Sequence, residues 1–198
     1  MLTNRPPIGI VWLKRDLRLH DHAAVHVALK ENKRVLLVYV FETVLAQDSH
    51  YSSRHFDFIK QSLIDMNRQL VQFNTKILIA QGAVLGVFYK IKESYTIDRL
   101  YSHQETGLRV TFDRDKEVKK WADSEQIHWK EHNQQGVFRG MTNRKQWLVN
   151  WTKSMNEQQY PFPHQEAPFL NHEKVSALNS ILRTPDLETK KSTQVQLG

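Results

Sequence analysis

The sequence predicts an α/β protein: a five-stranded, doubly wound (Rossmann-like) parallel sheet with helices on both faces, followed by a C-terminal helix and linker extension. Three observations predict it. Short β-rich runs alternate with helical patterns over the first two thirds of the chain. The strongest runs are continuously apolar, as expected of strands covered on both sides. Charged residues crowd directly behind the first run, at the edge where open α/β sheets bind ligands.

The elements follow in order. Ile8-Gly9-Ile10-Val11-Trp12-Leu13 is the first strand, and residues 21–31 form a helix with Asp21 as its N-cap. Val35-Leu36-Leu37-Val38-Tyr39-Val40-Phe41 is the second and strongest strand. Phe56, Ile59, Leu63, Met66, Leu70 and Phe73 are spaced 3, 4, 3, 4 and 3, one apolar stripe along a helix that Ser52 or Ser53 caps. Lys76-Ile77-Leu78-Ile79-Ala80 is the third strand, closed by Gln81-Gly82. Helices over 83–94 and 113–125 flank two weaker strands, Ile97–Tyr101 and Ile127–Lys130. Residues 1–132 therefore read as the α/β domain, and 133–198 as a helix and interdomain linker. In the latter, Trp147, Trp151 and Met155 mark a helix whose stripe reads as packing. Tyr160-Pro161-Phe162-Pro163-His164 is extended, and Thr184-Pro185 opens a polar tail.

Composition narrows the function classes. The 198 residues include no cysteine, which excludes disulfides, iron–sulfur clusters, thiolate zinc sites and cysteine nucleophiles within this chain. No apolar run approaches the roughly 18 residues of a membrane span, and no signal-peptide-like stretch precedes the first strand, so a soluble cytoplasmic protein is expected. A net charge of +7 suits a polyanion such as DNA as well as it suits a solvated basic surface. Ten histidines invite a metal reading through pairs such as His20/His22 or His50/His55, but no His-Glu-x-x-His arrangement occurs; solvated surface histidines and no metal site are expected. Neither a glycine-rich phosphate loop nor a serine nucleophile elbow is present, and no catalytic residue is assigned.

The most informative stretch is Trp12-Leu13-Lys14-Arg15-Asp16-Leu17-Arg18-Leu19-His20-Asp21-His22-Ala23-Ala24. Cations here neutralise an anionic ligand, or Arg15, Asp16 and Arg18 form an ion-pair network that holds the loop. The stretch resembles the opening signature of the cryptochrome/DNA photolyase family, a strand running into Trp-Phe-Arg-Arg-Asp-Leu-Arg and then Asp-Asn. Trp12, Arg15, Asp16, Leu17, Arg18 and Asp21 match, whereas Leu13, Lys14 and His22 stand for the usual Phe, Arg and Asn. Ser53-Arg54, Gly82, Leu100 through Glu105, and Arg114-Asp115 follow in the family's order, although Thr106 replaces a proline in a longer fourth loop. The resemblance covers roughly residues 8–132.

It implies the N-terminal domain of a two-domain parent, a domain that in many members binds an antenna chromophore: a folate, a deazaflavin or a flavin-like molecule. The parent's helical domain would hold FAD and perform light-driven DNA repair, as a carbon–carbon lyase, or photoreception. The chain reads as a fragment or a stand-alone member, with DNA and the helical domain as partners and no activity expected alone. The antenna site would gather Lys14, Arg15, Asp16, Phe41, Glu42, His103, Gln104, Glu105 and Thr106. Glu42 and Glu105 are acceptors for ring N–H groups, Arg15 a cation and Phe41 a wall. Alternatively Glu105 pairs with Arg15 across an empty cleft, which would make the chain a scaffold or interaction domain. A stand-alone nucleotide-binding α/β domain is the other alternative.

Overall fold

The computed structural model describes residues 5–133 and 147–187. Five parallel strands form one sheet in the order β3-β2-β1-β4-β5. They are β1 (Pro7–Leu13), β2 (Val35–Phe41), β3 (Leu78–Gln81), β4 (Thr96–His103) and β5 (His128–His132). The chain winds outward from β1 to β3, then crosses to the other side of β1 for β4 and β5. Winding direction thus reverses between β1 and β4, which opens a crevice at their carboxyl ends.

Strand side chains alternate between two apolar layers. Ile8, Ile10 and Trp12 pack with α4 (Val84–Ser94) and α5 (Arg109–Ser124) through Val87, Phe88, Ile91, Val118 and Trp121. Val11 and Leu13 pack on the opposite face with α1 (Ala23–Glu31) and α3 (Ser53–Leu70). The predicted stripe of α3 is the buried one: Leu63, Met66 and Leu70 are inside, and Phe56, Ile59 and Phe73 pack against them. Gly9 is required where the strand runs against Asn32, since an added Cβ would come within 2.5 Å of that side chain. Among the described residues, no helix is long and apolar enough to cross a membrane.

Several boundaries differ from expectation, each for a local reason. Asp21 is not the cap of α1: its backbone is left-handed (φ 51°), and His22 occupies the N-cap. Helix α5 begins one turn earlier than predicted because Leu108, its N-cap, carries no capping side chain to mark the start. A short α2 (Thr43–Ala46) follows β2. Helix α7 (His172–Ser180) was not legible, its apolar positions being few, yet Leu170, Val175 and Leu178 lie in the core. The segment before it bridges Val35 to Phe169, and Gln81 N–H donates to the Arg183 carbonyl, so the β3 side of the sheet is covered. In α6 (Trp147–Met155), by contrast, no side chain is buried; Trp147 and Trp151 stack at 6.2 Å on one another. The predicted tail lies outside the described residues from 188 onward.

Candidate functional site

Two loops meet at the β1/β4 crevice, one carrying Lys14, Arg15 and Asp16, the other His103 through Thr106. They are joined by a helix the sequence reading left out of the site. Arg114, in the second turn of α5, projects toward the strand ends and pairs with Glu42 and with Glu105, and its Nη2 lies 2.8 Å from Asp115 Oδ1. Lys14 Nζ pairs with the other Asp115 oxygen at 3.0 Å, and Arg15 Nε with Glu105 Oε1 at 3.1 Å. Lys14 and Arg114 also lie over the indole of Trp12, at 4.2 and 4.7 Å from its centroid. Apart from Arg15, half exposed at the rim, these side chains are nearly inaccessible.

The network gathers Lys14, Arg15 and Arg114 with Glu42, Glu105, Asp115 and, at 4.0 Å from Lys14, Glu131, so that each buried charge has an opposite partner. Burial pushes the Lys14 ammonium below its ordinary range despite Asp115, and pushes Glu42 up despite Arg114. Asp115 resists burial because Lys14 and Arg114 hold its carboxyl down. In Arg114 the three carboxylates outweigh burial and raise the guanidinium further.

Beside this network is a second, independent one. Burial pushes the Asp16 carboxyl up, yet the His22 and His103 imidazoles prevail and hold it well below its usual range. His103 Nδ1 lies 2.5 Å, and His22 Nε2 2.8 Å, from Asp16 Oδ2. These three residues offer atoms within 4.8 Å of one another, spacing that a metal would accept. The imidazole roles decide otherwise. His22 Nδ1 accepts the Val25 N–H, so the ring proton is on Nε2 and faces Asp16; a ligating imidazole instead offers a bare nitrogen and donates from the other. His103 hydrogen-bonds Asp16, whereas the buried His22 Nε2 faces the same oxygen without the geometry of a hydrogen bond. The expectation of solvated histidines is corrected here, since His22 and His103 are buried around a carboxylate. His50 and His55 instead bond locally to Asp48 and Ser52. The expected Arg15–Asp16–Arg18 network does not form either, because Arg18 turns to the Asp21 carbonyl.

Eight of the nine predicted residues divide between two adjoining cavities. One, about 420 Å³, is lined by Lys14, Arg15, Glu42 and Glu105, with Leu17, Tyr39, Tyr51, Phe58 and Ile59 as apolar walls. The other, about 270 Å³ and polar, is lined by Lys14, Arg15, Asp16, His103, Gln104, Glu105 and Thr106. Phe41 lines neither: it packs edge-on against Tyr39 in the core, and Tyr39 takes the wall position. Trp12, Arg114, Tyr51 and Phe58 are the site residues that sequence reasoning missed. Arg114 was recognisable as part of an Arg-Asp pair at a helix start, but no local pattern records that its guanidinium reaches Glu42 and Glu105.

A family-wide sequence model described as DNA photolyase matches residues 9–148. The chain is similar to cryptochrome DASH of Synechocystis, 29% identical over 105 residues, which is 50% of this chain and 22% of that protein. Its fold is similar to that of a Synechocystis cryptochrome, with TM-score 0.70 and 20% identity over 93% of this chain and 40% of the other. It is also similar to an archaeal photolyase from Sulfolobus tokodaii, a structure with two FAD molecules that implicates a novel light-harvesting cofactor. There the TM-score is 0.64 and the identity 19%, over 87% of this chain and 41% of that one. The chain thus spans about two fifths of these structures, and the matched part about a fifth of the curated relative.

Proposed function

This chain belongs to the DNA photolyase family, and from that premise we propose that it is an antenna domain, binding a flat light-harvesting chromophore in the 420 Å³ cavity at the carboxyl ends of β1 and β2. The observation that carries the reading is the composition of that cavity. Tyr39, Tyr51, Phe58 and Ile59 give a heteroaromatic ring apolar surface, while Arg15, Glu42 and Glu105 supply charge and hydrogen-bonding groups at one end. Its volume lies within the roughly 300–1,000 Å³ common for small-molecule sites. The chain's own residues would seat the ring, orient it through Glu42, and exclude water; the chromophore would supply the absorption.

In this reading, light-driven DNA repair or photoreception is exerted by a longer protein. There a helical domain would hold FAD and, with DNA, provide the partners, in the cytoplasm. The domain alone would not act as a lyase. A stand-alone nucleotide-binding function has less support, because Lys14-Arg15-Asp16 stands where a glycine-rich phosphate loop would follow β1. A scaffold reading is favoured by one observation, the Arg15–Glu105 pair, which helps balance the cleft's charge without a ligand.

Absorption and fluorescence titration of the purified chain with FMN, a deazaflavin and a folate separates these readings. Antenna binding predicts an ordered, quenched or shifted chromophore, with affinity reduced about tenfold or more by Glu105→Ala and less by Arg15→Ala, since the first is a buried charge and the second lies at the rim. A spectrum of protein aromatics alone, unchanged by every candidate, would establish the scaffold.

A further inference from the structure

Loop 14–22 carries Lys14, Arg15 and Leu17 into the wall of the larger cavity, and its far end is held by a segment from the other end of the chain. Asp21 N–H donates to the Tyr160 carbonyl at 2.9 Å, and Tyr160 N–H returns to Asp21 Oδ1 at 3.2 Å. The Asp21 carbonyl accepts from Arg18 Nε at 3.1 Å and Nη2 at 2.8 Å, which ties the pair back into the loop. One turn into α1, the His26 ring lies 5.2 Å from the Tyr160 ring. Asp21 depends on such support. Its φ of 51° is left-handed, a conformation that side chains other than Asn and Asp seldom adopt.

The segment is anchored again at its other end. Val35 N–H, at the start of β2, donates to the Pro168 carbonyl at 2.7 Å, and Leu170 N–H donates to the Val35 carbonyl at 2.8 Å. Between the anchors, Phe162 and Phe169 pack edge-on against Phe73, at 5.3 and 5.6 Å, on the apolar layer of α1 and α3. Pro161, Pro163 and Pro168 fix the backbone of this stretch, which makes it a stiff spacer.

A stiff spacer tied at both ends transmits position. We propose that residues 160–169 are a brace of the chromophore cleft: through its pair with Asp21, Tyr160 sets where loop 14–22 places Arg15 and Leu17, and so sets affinity for the ligand. Asp21 and Tyr160 line neither cavity and are positioning residues. The ligand-binding unit then extends beyond the last strand of the sheet, to Phe169 at least. The effect on the ligand rests on the antenna reading; the hold on the loop does not.

Amide hydrogen exchange without ligand, and titration with FMN, a deazaflavin and a folate, test the brace in the 198-residue chain. Asp21→Gly keeps the left-handed backbone but has no carboxylate, whereas Asp21→Asn keeps both the backbone and an Oδ1 acceptor. Asp21→Gly is expected to speed exchange about tenfold in a peptide spanning residues 14–20, with β2 unchanged. It should also weaken whichever chromophore binds by about fivefold. Asp21→Asn should restore both to within about twofold of the native chain. Unchanged loop exchange in Asp21→Gly overturns the brace, and so does an equal loss in Asp21→Asn. Faster exchange with undiminished affinity overturns the positioning role. If Asp21→Gly does not fold, the native Asp21 and Tyr160 amides decide: protection of both supports the brace, and exchange of either at the rate of an open chain overturns it. No binding of any of the three chromophores by the native chain, with the loop responding as expected, supports the brace and sinks the antenna reading.

Discussion

The two sides of the sheet and its carboxyl edge are built on opposite principles. The sides are apolar layers in which Ile10, Trp12, Leu63 and Phe88 contribute through area removed from water, about 1.5–3 kcal/mol for each fully buried side chain. The edge is almost as inaccessible, yet it holds Lys14, Asp16, Glu42, Glu105, Arg114 and Asp115. Burial there is unfavourable for each group alone and is tolerated only because each has a partner. The difference teaches where each region breaks: a layer loses stability in proportion to the atoms deleted, whereas the edge fails when one partner leaves a charge unmatched.

Arg114→Met should give the largest effect, since Glu42 and Glu105 would be left buried without their shared guanidinium. A loss of about 3–5 kcal/mol in urea unfolding is expected; a loss below about 1 kcal/mol would show that water enters the cleft and the contrast is false. Leu63→Ala, in the α3 layer, should cost about 3 kcal/mol with no change in pH dependence. The smallest effect is one of pH. His132 is held neutral by burial, with a folded value of about 4 against an ordinary 6.5. The folded state therefore binds fewer protons, so this contribution is complete above pH 6.5 and is lost as pH falls toward 4. His132→Gln should flatten the stability profile across that window by on the order of 2 kcal/mol. An unchanged slope would move the acid sensitivity to other groups.

The same contrast explains what the sequence disclosed. Layers follow periodicity, so the strands and the Phe56-to-Phe73 stripe were readable to within a few residues. Partnerships at the edge join residues 15, 42, 105 and 114 from four separate parts of the chain, and no local pattern records them. Lys14, Arg15, Glu42 and Glu105 were found because strand ends in such sheets are known places to look. Arg114 was missed because its reach back to Glu42 and Glu105 leaves no local mark, and Phe41 was misplaced because it packs against Tyr39 on the same face of β2, where Tyr39 alone borders the cleft. His22 read as a surface residue because a histidine in a capping position carries no distinctive signal.

The isolated bridge between Val35 of β2 and Phe169 has a consequence for biosynthesis. A chain elongating on the ribosome has made every strand once residue 132 emerges, but not Leu170, Val175 and Leu178, which complete one of its two apolar layers. The nascent sheet must therefore wait, with the flank beside β3 uncovered, until about fifty further residues have been translated, several seconds at ordinary elongation rates. During that interval the β3 flank is open to pairing with a neighbouring polypeptide, and arrest or truncation between residues 132 and 170 should favour aggregation over partial folding.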